Sequence, residues 1–154
     1  ALGASLMRQA PALEVAARKG SWARSDLEGL APRGLSGATV VVVGLGVIGQ
    51  RMANVLSFLG ASVLGVDPQQ RPAGVTKVVL EDALPHADLV TLHCSLTDSS
   101  LGILDSRRLA MLSSHAVVVN TARGPLLDLS TAVNRVESGR LRGLASDVFP
   151  QEPH

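Results

Sequence analysis

Residues 39–49 read Thr-Val-Val-Val-Val-Gly-Leu-Gly-Val-Ile-Gly. Thr39 to Val43 form a β-branched run without alternation, the pattern of a strand covered on both faces. Gly44, Gly46 and Gly49 follow at the spacing G-x-G-x-x-G. With glycine at about 7% of residues, several per cent of chains this long carry that spacing by chance. Its context makes it informative, because it follows a strand and opens a helix. Each glycine has a separate task. Gly44 permits a tight turn, Gly46 lets the backbone approach a pyrophosphate, and Gly49 lets helix and strand pack closely. The helix start at Val47 and Ile48 then presents unpaired N–H groups to the phosphates.

The pattern extends in both directions. Ile48, Met52, Val55, Leu56 and Leu59 fall on one helical face, and Gly60 suits the stop. Strands are expected at 62–66, near 77–80, at 87–93, 115–120 and 144–148, with helices at about 105–112 and 128–138. Residues 2–18 read as a helix that Pro11 kinks or restarts, with Gly20 as its end. Residues 21–37 are rich in Gly, Pro, Ser and charge and read as a connection. Strands alternating with helices through short links predict a doubly wound parallel sheet with helices on both faces, a Rossmann-type three-layer α/β/α domain. Residues 1–36 are then an N-terminal helix and connection, and 37–154 the dinucleotide-binding domain.

Composition narrows the partners. The 154 residues are 46% hydrophobic, enough for a real core. Fourteen basic against thirteen acidic residues, with no block of one sign, recommend neither nucleic acid nor an anionic membrane. Apolar runs are strand-length, short of a membrane span. Cys94 is the single cysteine, so an internal disulfide and a cysteine zinc site are excluded and no metal is expected. A reducing cytoplasm fits. Arg8, Glu14, Arg18 and Lys19 interrupt any signal-peptide core. The first residue is Ala1, as expected of a piece of a longer chain.

Two side chains stand out beside the glycines. Asp67 lies eighteen positions after Gly49, at the end of the second strand. A carboxylate there accepts the adenosine ribose hydroxyls and repels a 2′-phosphate; a plain turn residue in Asp-Pro is the competing reading, and Arg71 nearby tempers the preference against a phosphate. Arg123 follows a strand and precedes Gly124-Pro125, where a guanidinium can grip a carboxylate with two parallel bonds. Polar or glycine-rich clusters close the proposed strands at Gly44–Gly46, Asp67, His93-Cys94-Ser95, Asn120–Gly124 and Asp147. In an open parallel sheet, that edge binds ligands.

These stretches also resemble a known family. Val-Gly-Leu-Gly-Val-Ile-Gly (43–49), Val-Asp-Pro (66–68), Leu-His-Cys-Ser-Leu-Thr (92–97), Val-Asn-Thr-Ala-Arg-Gly-Pro-Leu-Leu-Asp (119–128) and Ser-Asp-Val-Phe-Pro-Gln-Glu-Pro (146–153) are similar to D-2-hydroxyacid dehydrogenases over nearly the whole chain. The resemblance implies NAD as cofactor and a small 2-oxo or D-2-hydroxy acid as substrate. It implies that Arg123 binds the substrate carboxylate and that Glu152 pairs with a catalytic histidine. Thr121, Ala122 and Asp147 would lie near the nicotinamide, and His93, Cys94 and Ser95 would line the cofactor crevice. The family commonly has proline where Ser95 stands and often arginine where Val47 stands. Its proton-passing histidine lies well downstream of Glu152-Pro153, so His154 is not the match, and its substrate domain is absent from these residues. His86 and His115 precede their strands, on the opposite edge. The resemblance further implies a homodimer through this domain, with Leu2, Leu6 and Leu13 forming an apolar stripe. An NAD-sensing, corepressor-like regulator with the same motifs is the alternative function.

Overall fold

The computed structural model describes residues 1–21 and 32–150. Six strands form one parallel sheet: β1 (Thr39–Val43), β2 (Ser62–Val66), β3 (Thr76–Lys77), β4 (Leu89–Leu92), β5 (Val117–Asn120) and β6 (Gly143–Ser146), in the spatial order β3-β2-β1-β4-β5-β6. Every neighbouring pair is parallel. The order reverses between β1 and β4, which makes that gap the switch point where an α/β sheet opens a crevice.

The β-branched runs explain the layering. Along β1, Val40 and Val42 join one apolar cluster while Val41 and Val43 join another on the opposite face, all of them at most 1% exposed. Period-2 alternation in a strand buried on both sides needs apolar residues at every position. Helices α1 (Leu2–Met7) and α3 (Val47–Phe58) cover the first face, α1 over β4, β5 and β6 and α3 over β1 and β2. The second face carries α4 (Leu80–Ala83), α5 (Ser106–Met111) and α6 (Leu129–Glu137). Asp105 and Asp128 cap α5 and α6 through the N–H groups of Arg108 and Thr131.

Several expectations shift. The helix read over 2–18 is two helices, α1 and α2 (Ala10–Arg18). Gln9 between them takes a left-handed conformation, and Pro11 sits in the first turn of α2. Leu13, on α2, therefore does not continue the row that Leu2 and Leu6 begin on α1. Leu6 packs onto the sheet near Gly143, while Leu2 stays 47% exposed. The inner face of α3 keeps the expected Leu56 and the close-packed Gly49 but not the rest of the expected row. Gly49, Ala53 and Leu56 are buried, whereas Ile48, Val55 and Leu59 are largely exposed. The cause is close approach: a β-carbon at Gly49 would lie 1.8 Å from the Gly44 carbonyl oxygen. A helix held that near a strand meets it through its smallest residues. β3 stops at Lys77, because Leu80 already begins α4.

At the amino ends of the strands, Asp88 acts as a stitch. Its Oδ2 accepts the Thr39 N–H at 2.9 Å, and its Oδ1 meets Arg33 and, at 3.3 Å, His115. The carboxylate thereby ties the starts of β1, β4 and β5 together.

Candidate dinucleotide site

Strand register lines up the opposite edge. Val43 pairs with Val66 and Leu92, Leu92 with Asn120, and Asn120 with Ser146. One step beyond that row stand Gly44, Asp67, His93, Thr121 and Asp147. The clusters marked by residue type thus form a single rim at the carboxyl ends.

The glycine loop has the geometry its spacing demands. Gly44 has φ +92°, and a β-carbon there would lie 2.4 Å from the Cys94 nitrogen. Gly46 caps α3 without any side-chain bond, and a β-carbon on it would meet nothing within 4 Å. The first backbone bond of α3 runs from Gln50 N–H to the Gly46 carbonyl. The N–H groups of Val47, Ile48 and Gly49 precede it and have no carbonyl within the helix to bond. Open space before a helix N-terminus, with no side chain in the way, fits a pyrophosphate.

Asp67 is a turn residue in fact. Its Oδ1 accepts from Gln69 and Gln70 N–H and its Oδ2 from Leu45 N–H, each at 2.8 Å. Burial pushes its carboxyl pKa up, but these three bonds and the Lys77 charge outweigh it and hold the pKa below the usual value. A carboxylate has about four acceptor positions, so the three bonds leave room for a further donor.

On the β4 side, the His93 imidazole shares a 2.9 Å hydrogen bond with the Thr91 hydroxyl, and burial lowers its pKa. The ring faces the α1–α3 side of the sheet, where it lines a groove of about 230 Å³ with Thr91, Val119 and Thr121. Burial, reinforced by the Asp67 charge, raises the Cys94 thiol. Ser95 is exposed, and its carbonyl accepts from the Ser100 hydroxyl at 2.7 Å.

Beyond β5, Asn120 is 1% exposed and staples the next loop. Its amide donates to the Arg123 carbonyl at 2.9 Å, and its oxygen accepts from Ala122 N–H at 3.1 Å. Gly124 closes the loop against the following segment, since a β-carbon there would lie 2.1 Å from the Phe149 carbonyl. Arg123 is left exposed at the rim, its Nη1 donating to the Ala122 carbonyl at 2.6 Å. Thr121 and Asp147 are exposed beside it. Glu152 lies outside the described residues. The sequence marks Asn120 only as part of the cluster that closes its strand, and it marks neither Ser100 nor Gln50. Their signal is local: a polar side chain of the right length beside a turn bonds the turn's backbone.

A Rossmann sheet with this glycine loop and this rim is a dinucleotide-binding domain. More narrowly, the chain belongs to the D-isomer specific 2-hydroxyacid dehydrogenases and is their NAD-binding domain, whose family model matches residues 1–154. It is 36% identical over 151 residues to D-3-phosphoglycerate dehydrogenase of Mycobacterium tuberculosis, covering 95% of this chain and 28% of that protein. It is 39% identical over 132 residues to a D-lactate dehydrogenase of Curvularia clavata, covering 82% of this chain and 37% of that one. The D-lactate dehydrogenase of Aquifex aeolicus, solved with NAD and lactic acid, superposes with a TM-score of 0.87 at 25% identity, over 96% of this chain and 45% of that one. NAD-dependent formate dehydrogenase from Staphylococcus aureus, solved with NAD, gives 0.87 at 29% identity, over 97% and 46%. The chain thus spans between 28% and 46% of the length of these relatives. Among the described residues, no helix is long and apolar enough to cross a membrane.

Proposed function

We propose that the whole protein transfers a hydride between NAD(H) and C2 of a small D-2-hydroxy or 2-oxo acid. The bound cofactor supplies the hydride chemistry. One observation carries the reading: Arg123 stands exposed on a loop stapled by Asn120, at the same rim as the glycine loop. A guanidinium there grips the substrate carboxylate and polarises the keto oxygen. Thr121, Ala122 and Asp147 border the nicotinamide, and His93, Cys94 and Ser95 line the crevice. Glu152 pairs with a histidine from elsewhere in the protein and raises its pKa toward working pH. The relatives named above are dehydrogenases and lend nothing to a regulatory alternative. A reducing cytoplasm suits the lone thiol of Cys94. The test is NADH oxidation by the full-length protein with glyoxylate, hydroxypyruvate and pyruvate; silence with all three sinks the reading.

Cofactor choice follows from Asp67. Its ionised carboxylate disfavours a 2′-phosphate, so NADH binds at least tenfold tighter than NADPH, about 1.4 kcal/mol. Calorimetric titration decides it, and equal affinities remove Asp67 from the ribose.

The domain also pairs two-fold with a second copy. Leu2, Val55 and Leu59 are 47%, 53% and 46% exposed along one groove, an apolar face that association covers. Light scattering at tens of micromolar gives a dimer mass; a monomer there contradicts the pairing.

A further inference from the structure

The Leu45 peptide, in the middle of the glycine loop, is held from three directions. Its N–H donates to Asp67 Oδ2 at 2.8 Å, and its carbonyl accepts from Gln50 Nε2 at 2.7 Å. Its side chain is fully buried above Gly65, where a β-carbon would come within 2.7 Å of Leu45 Cδ1. Asp67 follows β2, Gly65 lies within it, and Gln50 belongs to the first turns of α3. The three holds therefore connect the loop to α3, which follows it, and to β2, which lies beside it in the sheet.

The loop needs such holds. Leu45 sits between two glycines, the residues that lose most conformational freedom on ordering. A loop left to wander would have to be ordered by the ligand at the expense of affinity, and a loop already ordered avoids that loss. G-x-G-x-x-G prescribes no residue at position 50. A glutamine there reaches back to the carbonyl five residues earlier with a donor that glutamate, ionised, does not have.

We infer that Gln50 and Asp67 are positioning residues that clamp the Leu45 peptide and preset the glycine loop for the pyrophosphate before any ligand arrives. The inference rests on the cofactor reading above. It gives Asp67 a second task beside the ribose: the oxygen that accepts from Leu45 belongs to the same carboxylate that faces the ligand. It also separates the two residues. The Gln50 side-chain amide bonds the loop backbone, so its loss weakens ligands that use the loop and spares those that do not.

Two variants of the full 154-residue chain test this. Gln50→Met keeps the length and removes the donor, and Gln50→Glu keeps the shape and removes the donor by ionising. NADH affinity is measured by titration, adenosine binding by NMR, and amide hydrogen exchange in the ligand-free chain. In both variants the NADH Kd rises about tenfold. Exchange at Leu45, Gly46 and Val47 speeds by a similar factor, while amides in β4 and β5 keep their protection. Adenosine, which carries no phosphate, binds as before. Unchanged NADH affinity and unchanged exchange overturn the inference. Equal loss of NADH and adenosine also overturns it, since Gln50 would then support the fold at large. A wild-type chain that fails to bind NADH, with variants that still exchange faster at Leu45, removes the cofactor reading and leaves the clamp standing.

Discussion

Replacing Arg123 by lysine in the full-length protein lowers kcat/KM by a hundredfold or more, roughly 3 kcal/mol of transition-state stabilisation. Lysine keeps the positive charge, so simple attraction of an acid survives. It loses the planar fork that holds two carboxylate oxygens at once and fixes the orientation of C2 toward the cofactor. Misorientation costs rate even when binding persists. NADH affinity hardly changes, because Arg123 lies across the rim from the glycine loop and its side chain, among the described residues, bonds the Ala122 carbonyl. Steady-state kinetics with a 2-oxo acid, paired with NADH titration, separate the two effects. Near-normal kinetics in the lysine variant mean that the carboxylate is held elsewhere.

The 154-residue chain by itself binds NADH and turns nothing over. The proposed cofactor contacts are local, since Gly44 to Gly49 and Asp67 fall within one β1-α3-β2 unit whose strands are in register. Catalysis needs a positioned proton donor, worth roughly 10²–10⁴ in rate. The histidines within the described residues are poorly placed for it. His86 and His115 are at the amino edge, and His115 is engaged by Asp88. His93 is bonded to Thr91, and its pKa is lowered by burial. Orientation of substrate between two domains, with exclusion of water, accounts for further orders of magnitude. Fluorescence titration shows binding, and absorbance at the NADH band stays flat with glyoxylate, hydroxypyruvate or pyruvate. A clear rate, abolished by Arg123→Ala, would place the donor inside these residues, and His93 would be the first to replace.

Much of this was legible in the amino acids because strand ends advertise themselves. A β-branched run that stops at Gly44, Asp67 or Asn120 marks both the strand and its edge. The parallel register then makes the marked residues neighbours. What stayed hidden depends on distance between elements. Gly49 announced a close approach, but nothing in the spacing of Ile48, Met52, Val55, Leu56 and Leu59 says that of these only Leu56 is buried, with Ala53 beside it. Nor does residue type show that Gln50 and Asn120 spend their amides on loop backbone. The break at Gln9 was half visible: Pro11 announced an interruption, but a left-handed residue two places earlier had no signal of its own.

The Asp88 stitch gives the sheet a division of labour. The Asp88 fastening of three strands lies at one end, and the exposed side chains of the rim stand at the other, with the apolar layers between them. Changes at the exposed rim positions, as distinct from Asp67, Asn120 and Gly124, therefore leave that fastening untouched. A lineage can trial new side chains around Arg123 or Ser95 without gambling the fold on each attempt. One scaffold can in this way host relatives that act on lactate and on formate, with inheritance conserving the frame and selection exploring its border.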